Sequence, residues 1–482
     1  MKLRIERYNG PILGLPETAI PFTNSERADL ICSRRWWFRH PEALRSVSSA
    51  PQRYGTAWHL VMESWNSWLR DFDSPWPKNA AEECAHCGGS GRIDPLPGTL
   101  LQRGCSVCSG SGLGPVGRAR EQWKREVGEL KISREEMDHD LERLARAIEG
   151  YSHRIGFEPS DDWKVIGVEM RGSAPIRDPR RPDGHYCPET YLAVLQDGTA
   201  RLARTGEAGS KVKLPADVKE VILVRWPMYV ITTMDLVLAH RKQPWLAVGE
   251  FKSTDDPQSY LNNLRIDPQV LTYGHVLQHL ADQVPAELGF VTSPRVDRCW
   301  YDIASSHMQR DPELLAGRAS KAVPDPPSPG FSVRQDRIIP TWRWDAAIKA
   351  SPFDPTEEKY VKYREHLRHT VDPKLYIRYS SPYTQEEITS YGAELYGVAV
   401  RIAKHRRDAA TATQRSDIAI GFPRTPVCRM PGGTCSYKDP CASDVAENRA
   451  GYIVEGAPPV RNTDSTIPIS TNKARPKEKP PW

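Results

Sequence analysis

The 482-residue sequence predicts an α/β fold with helical flanks. Three observations carry that expectation. Short β-branched runs gather between residues 163 and 303, helical patterns stand before and after them, and a Gly/Cys-rich stretch interrupts the helices at 78–120.

Taken in order, residues 1–77 read as helical after a short lead-in. "NSERADLICSRRWWFRH" carries a helix start at Asn24 or Ser25, and "GTAWHLVMESWNSWLRDF" opens a second helix after Gly55. After the Gly/Cys/Pro-rich segment, residues 121–150 return to a charged helical pattern. From 163 the period shortens: "WKVIGVEMRG", "KEVILVRW", "MYVITTMDLVLAH" and "WLAVGEFKS" read as strands. A helix follows in "DPQVLTYGHVLQHLADQV", with Asp267 as N-cap and Pro268 as its first residue. "AELGFVTS" reads as a further strand, 304–345 as a Pro-rich connection, and 355–407 as helical again. Beyond 456 the chain is rich in Pro and Lys and poor in large apolar groups, the composition of a disordered tail. The division expected is therefore 1–77, 78–120, 121–157, 158–303, 304–455 and 456–482.

The net charge of +5 permits a nucleic-acid partner without demanding one. No apolar run is long enough to span a membrane, and "MKLRIERYNG" lacks the apolar stretch of a secretory signal, so a cytoplasmic protein is expected. In a reducing compartment ten cysteines point to metal rather than to disulfides. Cys32 stands alone, four cysteines lie between 84 and 108, Cys187 and Cys299 are isolated and read as plain thiols, and three fall between 428 and 441. Two sets of four result if Cys32 joins the last three.

"CAHCGGSG" and "CSVCSGSG" are two copies of CxxCxGxG, and Cys84, Cys87, Cys105 and Cys108 supply four thiolates for tetrahedral Zn²⁺. Their glycines let the backbone wrap so that N–H groups approach the sulfurs. The repeats resemble the cysteine-rich zinc modules of DnaJ-type chaperones over this segment alone. A structural staple for a stretch with little core is the favoured role, and contact with DNA or a partner the lesser one. At Cys428, Cys435 and Cys441, with Cys32 as distant fourth ligand, the spacing suits zinc or a [4Fe–4S] cluster alike.

The remaining chemistry sits in "VGEFKST", where an acid and a lysine end an apolar strand. If His240 pairs with Trp245 in a hairpin, Asp235 falls across from Glu250, and alternation puts Asp235, Glu250 and Lys252 on one face and Phe251 on the other. Opposed carboxylates about 4.5–5.5 Å apart at Cβ repel each other unless a cation lies between them. Two acids and a backbone carbonyl suit Mg²⁺ or Mn²⁺, with Lys252 orienting a water or meeting charge on a phosphate.

With this pattern the chain resembles RecB-type nucleases of the PD-(D/E)XK superfamily. Asp235, Glu250 and Lys252 stand as D…(D/E)xK. His59 in "GTAWHLVME" falls on an early helix like the family's metal-binding histidine, and Gln269 and Tyr273 in "QVLTY" match Q-x3-Y. Cys32 with the C-terminal trio matches the iron–sulfur variant. Thr232 stands where the family often has glycine. The likeness touches 25–70, 160–300 and 420–445, in the expected order.

The resemblance implies a restriction-endonuclease-like core, a mixed central sheet flanked by helices, with helical additions and the zinc insertion. It implies a Mg²⁺- or Mn²⁺-dependent deoxyribonuclease, an exonuclease before an endonuclease, acting on single-stranded DNA or free ends in recombination, repair or phage DNA processing. His59, Asp235 and Glu250 would hold the metal, Lys252 would assist the water, and Gln269 and Tyr273 would support substrate placement. A [4Fe–4S] cluster would sit on Cys32, Cys428, Cys435 and Cys441, and a helicase or recombination protein would be a partner in a bacterial cytoplasm, phage-encoded forms included.

Plainer readings stand beside these. His59 with Glu63 is also an ordinary i, i+4 helix pair, Gln269 and Tyr273 are also helix surface, and Glu169 is a solvated strand acid as readily as part of the site. "CSRRWWFRH" and "RIAKHRR" fit a strand-binding channel and a structural role equally. For the whole chain, the alternatives are a catalytically silent nuclease-fold DNA-binding or scaffolding protein and, further off, a chaperone-like binder of unfolded polypeptide.

Overall fold

The computed structural model describes residues 12–40, 44–46, 50–73, 83–84, 87–93, 103–105, 108, 110–114, 117–118, 121, 133–154, 162–181, 184–203, 216–261, 264, 267–307, 309, 338–351, 354–412, 422 and 452–454. In chain order the first elements are β1 (Ile20–Thr23), α1 (Asn24–Asp29), α2 (Ser33–Arg39), β2 (Leu44–Ser46), α3 (Ala50–Phe72), β3 (Arg92–Ile93), β4 (Arg103–Gly104) and α4 (Arg134–Arg154). Then come β5 (Trp163–Pro175), β6 (Thr190–Leu195), β7 (Ala200–Leu202), β8 (Val218–Val224), β9 (Met228–His240), β10 (Trp245–Thr254), α5 (Pro257–Leu261) and α6 (Pro268–Gln283). The series closes with β11 (Arg295–Ser305), α7 (Thr341–Ala350), α8 (Glu358–Thr370), α9 (Asp372–Leu375), β12 (Tyr376–Pro382), α10 (Gln385–Thr411) and β13 (Tyr452–Val454). No helix among the described residues is long and apolar enough to cross a membrane.

The chain folds into two compact units of interleaved segments: 1–48, 173–232 and 389–482 in one, 49–172 and 233–388 in the other. The second unit holds a mixed sheet, the α/β architecture expected. β9 and β10 form the antiparallel hairpin with Leu246 opposite Ala239, the register deduced from His240 and Trp245. β10 runs parallel to β11, β11 antiparallel to β12, and β5 pairs with β9. Residues of α3 and α4, among them Trp58, Val61, Met62, Leu144 and Tyr151, share one apolar core with Leu236, Leu238, Ala247 and Phe251 of the hairpin.

Four local expectations change. The second helix begins at Ala50, not after Gly55, and Gly55 lies inside it. "AELGFVTS" is not a strand. Pro285 starts a short 3₁₀ turn that Gly289 ends with φ 81°, and the strand is β11, seated parallel on β10. Thr341–Ala350, inside the supposed Pro-rich connection, is helical. The segment 355–407 is interrupted by β12, a short strand that Arg378 recruits by lying opposite Asp302, its Nε and Nη2 donating at 2.7 and 2.8 Å.

In the first unit, β1 pairs parallel with Met228–Ile231, and β6, β7 and β8 form a separate antiparallel sheet. The two basic, aromatic stretches resolve as structure. Asp29 is fully buried and takes Arg35, Arg39 and His40 at 2.8, 3.1 and 3.0 Å, while Arg406 pairs with Glu26 at 2.6 Å. Trp36 and Trp37 are buried against Phe422, with centroids 5.7 and 4.7 Å away. These contacts engage Arg35, Arg39, Trp36, Trp37 and Arg406 in packing α2 and α10, while Arg401, Lys404 and Arg407 of the second stretch stay exposed.

Candidate active site

The site is built on three strands and two helices of the second unit. α3 is amphipathic: it buries Trp58, Val61, Met62, Trp65 and Leu69 and leaves His59 and Glu63, one turn apart, on its other side. β9 brings Asp235, β10 brings Glu250 and Lys252, β5 brings Glu169, and α6 brings Gln269 and Tyr273 on adjacent turns. Asp267 caps α6, its Oδ1 accepting from Gln269 N at 2.9 Å, so that the helix starts where Gln269 meets the strand acids. Gly172 lets that helix approach β5, since a Cβ there would lie 2.6 Å from Leu280 Cδ1.

Asp235 Oδ2 lies 3.4 Å from His59 Nδ1 and accepts the backbone N–H of Phe251 at 3.0 Å. Ligand atoms of His59, Glu169 and Asp235 lie within 4.8 Å of one another. Glu250 is wholly buried. Its Oε1 accepts from Lys252 Nζ and, at 3.1 Å, from Gln269 Nε2, whereas its Oε2 is buried without a hydrogen-bond partner. Gln269 also accepts from Lys252 Nζ at 3.1 Å and donates to the Tyr273 hydroxyl at 2.7 Å.

Charge follows from this burial. Desolvation and the neighbouring Asp235 push Glu250 up to about 7, and desolvation, eased by the Phe251 N–H, pushes Asp235 up to about 6. Glu169 is pushed up to about 8, by burial first and then by Asp235 and Glu63. Burial alone would lower Lys252, but Glu250 in contact outweighs it and raises the ammonium above its ordinary value. Burial lowers His59, which keeps its imidazole neutral and able to ligate. A crowded set of acids that ionise reluctantly, one with an orphaned buried oxygen, suits the binding of a divalent cation. His59, Glu169, Asp235 and Glu250 are the residues that would hold it.

Sequence reasoning thus placed His59, Asp235, Glu250, Lys252, Gln269 and Tyr273 in one cluster, and the structure brings all six together. Glu169 was left even between solvent and site. Its signal is conformational, a φ of +48° inside β5 that alternation alone does not reveal.

The four cysteines of the insertion converge as well. Cys84 Sγ is 3.8 Å from Cys105 Sγ and Cys87 Sγ 3.7 Å from Cys108 Sγ. A tetrahedron of Zn–S bonds near 2.3 Å requires about 3.8 Å between sulfurs. The halves repeat each other: Cys84 N donates to Gly112 O at 2.8 Å and Cys105 N to Gly91 O at 2.9 Å. Gly112 N approaches Cys108 Sγ at 3.2 Å, and with the other thiols it outweighs burial and lowers Cys108, favouring a thiolate. The glycines also have a second purpose that spacing did not show. A Cβ on Gly91 would meet Gly110 O at 2.2 Å, and one on Gly112 would meet Gly89 O at 2.1 Å, so the two knuckles interlock through bare backbone. Cys428, Cys435 and Cys441 lie outside the described residues. Cys32 is buried at the start of α2. Cys187 and Cys299 are not part of the Cys84–Cys108 cluster, and burial raises both thiols.

Two buried acids, a lysine two residues beyond the second and a histidine facing the first thus gather on β9 and β10, interior strands of a mixed sheet, in an arrangement suited to a divalent cation. A model of the PD-(D/E)XK nuclease superfamily matches residues 28–442, and the chain belongs to that superfamily. No curated protein matches the sequence.

Proposed function

We propose that the chain is a Mg²⁺- or Mn²⁺-dependent deoxyribonuclease of the RecB type, an exonuclease working on DNA ends in recombination, repair or phage DNA processing. The observation that carries this reading is the orphaned Glu250 Oε2 beside His59, Glu169 and Asp235, with Lys252 held at the same carboxylate. The bound cation would polarise the phosphodiester and lower the pKa of an attacking water. Lys252, held by Glu250 and Gln269, offers a fixed positive charge to the phosphate and the water. Gln269, tied to Tyr273, fixes the direction in which Lys252 and Glu250 point.

A [4Fe–4S] cluster on Cys32, Cys428, Cys435 and Cys441 is part of the proposal, as is zinc in the CxxCxGxG module and a helicase or recombination protein as partner. Support for Cys32 as the fourth ligand comes from both sides of the trio. Phe422 packs on Trp36 and Trp37, and β13 pairs with β2, Tyr452 opposite Ser46 and Val454 opposite Leu44. Both flanks of the segment bearing the trio are thereby held against the stretch that follows Cys32.

Cleavage of end-labelled single- and double-stranded DNA and of closed circles, with Mg²⁺ or Mn²⁺, beside Glu250→Ala, tests the function. Degradation of ends that vanishes in the variant and with chelator is expected. Metal-dependent nicking of circles would make it an endonuclease, and binding without cleavage in any metal would overturn the enzymatic reading.

A further inference from the structure

A side chain just beyond the cysteine cluster reaches the face of α3 that carries His59 and Glu63. Arg118 Nη2 donates to Glu63 Oε1 at 3.3 Å, with Arg118 mostly buried and Glu63 about a third exposed. Glu63 stands one helical turn from His59 and acts on the charge of both His59 and Glu169. Arg118 is not on a free loop. Cys84 N bonds Gly112 O at 2.8 Å, Glu83 bridges Leu113, and Arg118 N closes a turn onto Gly114 O at 2.9 Å. Backbone hydrogen bonds thus anchor both the segment just after the cysteine cluster and the main chain of Arg118. Cys84, Cys105 and Cys108 also belong to the apolar core that buries Trp58, Met62 and Trp65 of α3.

We infer that Arg118 is a positioning residue for the catalytic cation, through which the zinc module holds Glu63 and the His59 turn of α3 in place. The inference rests on the nuclease reading of the site. Without the guanidinium, Glu63 becomes an unrestrained carboxylate beside three acids that already repel one another, and the helix turn that offers His59 loses its lateral support. Staking the insertion to the site in this way gives the module a purpose beyond stapling its own loops, because anything that loosens the cysteine cluster also loosens the metal-binding histidine.

The test is Mn²⁺ binding, followed by the loss of the free-ion electron paramagnetic resonance signal, in zinc-loaded full-length protein. Wild type is compared with Arg118→Ala, Arg118→Lys, Glu63→Gln and the Arg118→Ala/Glu63→Gln double variant, with zinc content measured in each. Arg118→Ala should weaken Mn²⁺ binding about three- to tenfold at unchanged zinc content, Arg118→Lys should recover part of it, and the double variant should be no weaker than the worse single one. At saturating Mn²⁺ the kcat for DNA should return to near the wild-type value. Unchanged Mn²⁺ affinity in Arg118→Ala, or additive losses in the double variant, would overturn the inference while leaving the nuclease reading intact. A wild type that binds no Mn²⁺ at all would sink that reading first.

Discussion

Lys252 Nζ donates to Gln269 Oε1 at 3.1 Å, and since the ammonium can only donate, the Gln269 amide is fixed with its Nε2 toward Glu250 and Tyr273. A residue from the helix thus sets the direction of the two strand residues proposed to carry the chemistry. Gln269→Ala should lower kcat on DNA about 10- to 100-fold with little change in KM, as loss of an orienting partner does. Steady-state kinetics at saturating metal decide this. A rise in KM alone would assign Gln269 to substrate binding instead.

Glu250→Gln should remove the ligand charge while keeping shape and most hydrogen bonds, and cleavage should fall at least about a hundredfold. The DNA affinity should persist, as read by fluorescence anisotropy in metal. Loss of binding and cleavage together would mean that the variant has disturbed the fold rather than the metal.

The raised acids give the metal-free protein a pH dependence with a definite sign. Asp235 is pushed up to about 6, Glu250 to about 7 and Glu169 to about 8 in the folded protein, above the ordinary carboxylate values that unfolding restores. Between those limits these acids hold more protons folded than unfolded, so their contribution to stability falls as pH rises from about 4 to about 8. Melting temperature in chelator should drop across that window, and Mn²⁺ should restore more at pH 8 than at pH 5. Glu250→Gln should flatten both trends; a slope unchanged in that variant would place its cause elsewhere.

Gly112→Ala should cost zinc. The new Cβ would fall 2.1 Å from Gly89 O at a position with φ of +75°, where both the clash and the backbone oppose an alanine. Elemental analysis should show loss of zinc and calorimetry a lower melting temperature. A variant that keeps full zinc and wild-type stability would refute the interlocked knuckles.

Gly249→Ala tests how closely β9 and β10 must fit beneath Glu250. Its Cβ would sit 2.8 Å from Leu236 Cβ, backbone-near carbon that cannot swing aside, so a loss of about 1–3 kcal/mol in stability is expected. Denaturant unfolding measures the loss, and kcat should fall with it because Glu250 moves with the strand.

Periodicity and pairing rules reach far in this chain. The hairpin register follows from where apolar alternation ends at His240 and resumes at Trp245, and that register alone sets Asp235 beside Glu250. The Asp267–Pro268 signature marked the start of α6 because capping is local chemistry. The paired cysteines announced a four-thiolate site because CxxC spacing is itself ligand geometry. Strand β12 and the true position of β11 were hidden for the converse reason: a short strand such as "YIRYSSP" owes its state to Asp302 across the ladder, a partner 76 positions away.

What the sequence by itself determined was the set of chemical groups and their local spacing: D…ExK, Q-x3-Y, the CxxCxGxG repeats, and the α/β class. Only the tertiary structure decided which of them meet. It gathered Glu169 beside His59 and Asp235 through a left-handed turn of β5, engaged Arg35, Arg39 and Arg406 with the buried acids Asp29 and Glu26, and set Arg118, beyond the four-cysteine cluster, against Glu63 of α3. Local spacing is dictated by backbone geometry and is printed in the order of residues. Convergence of distant side chains depends on which buried charges must find partners once the core has formed, and that is settled by packing.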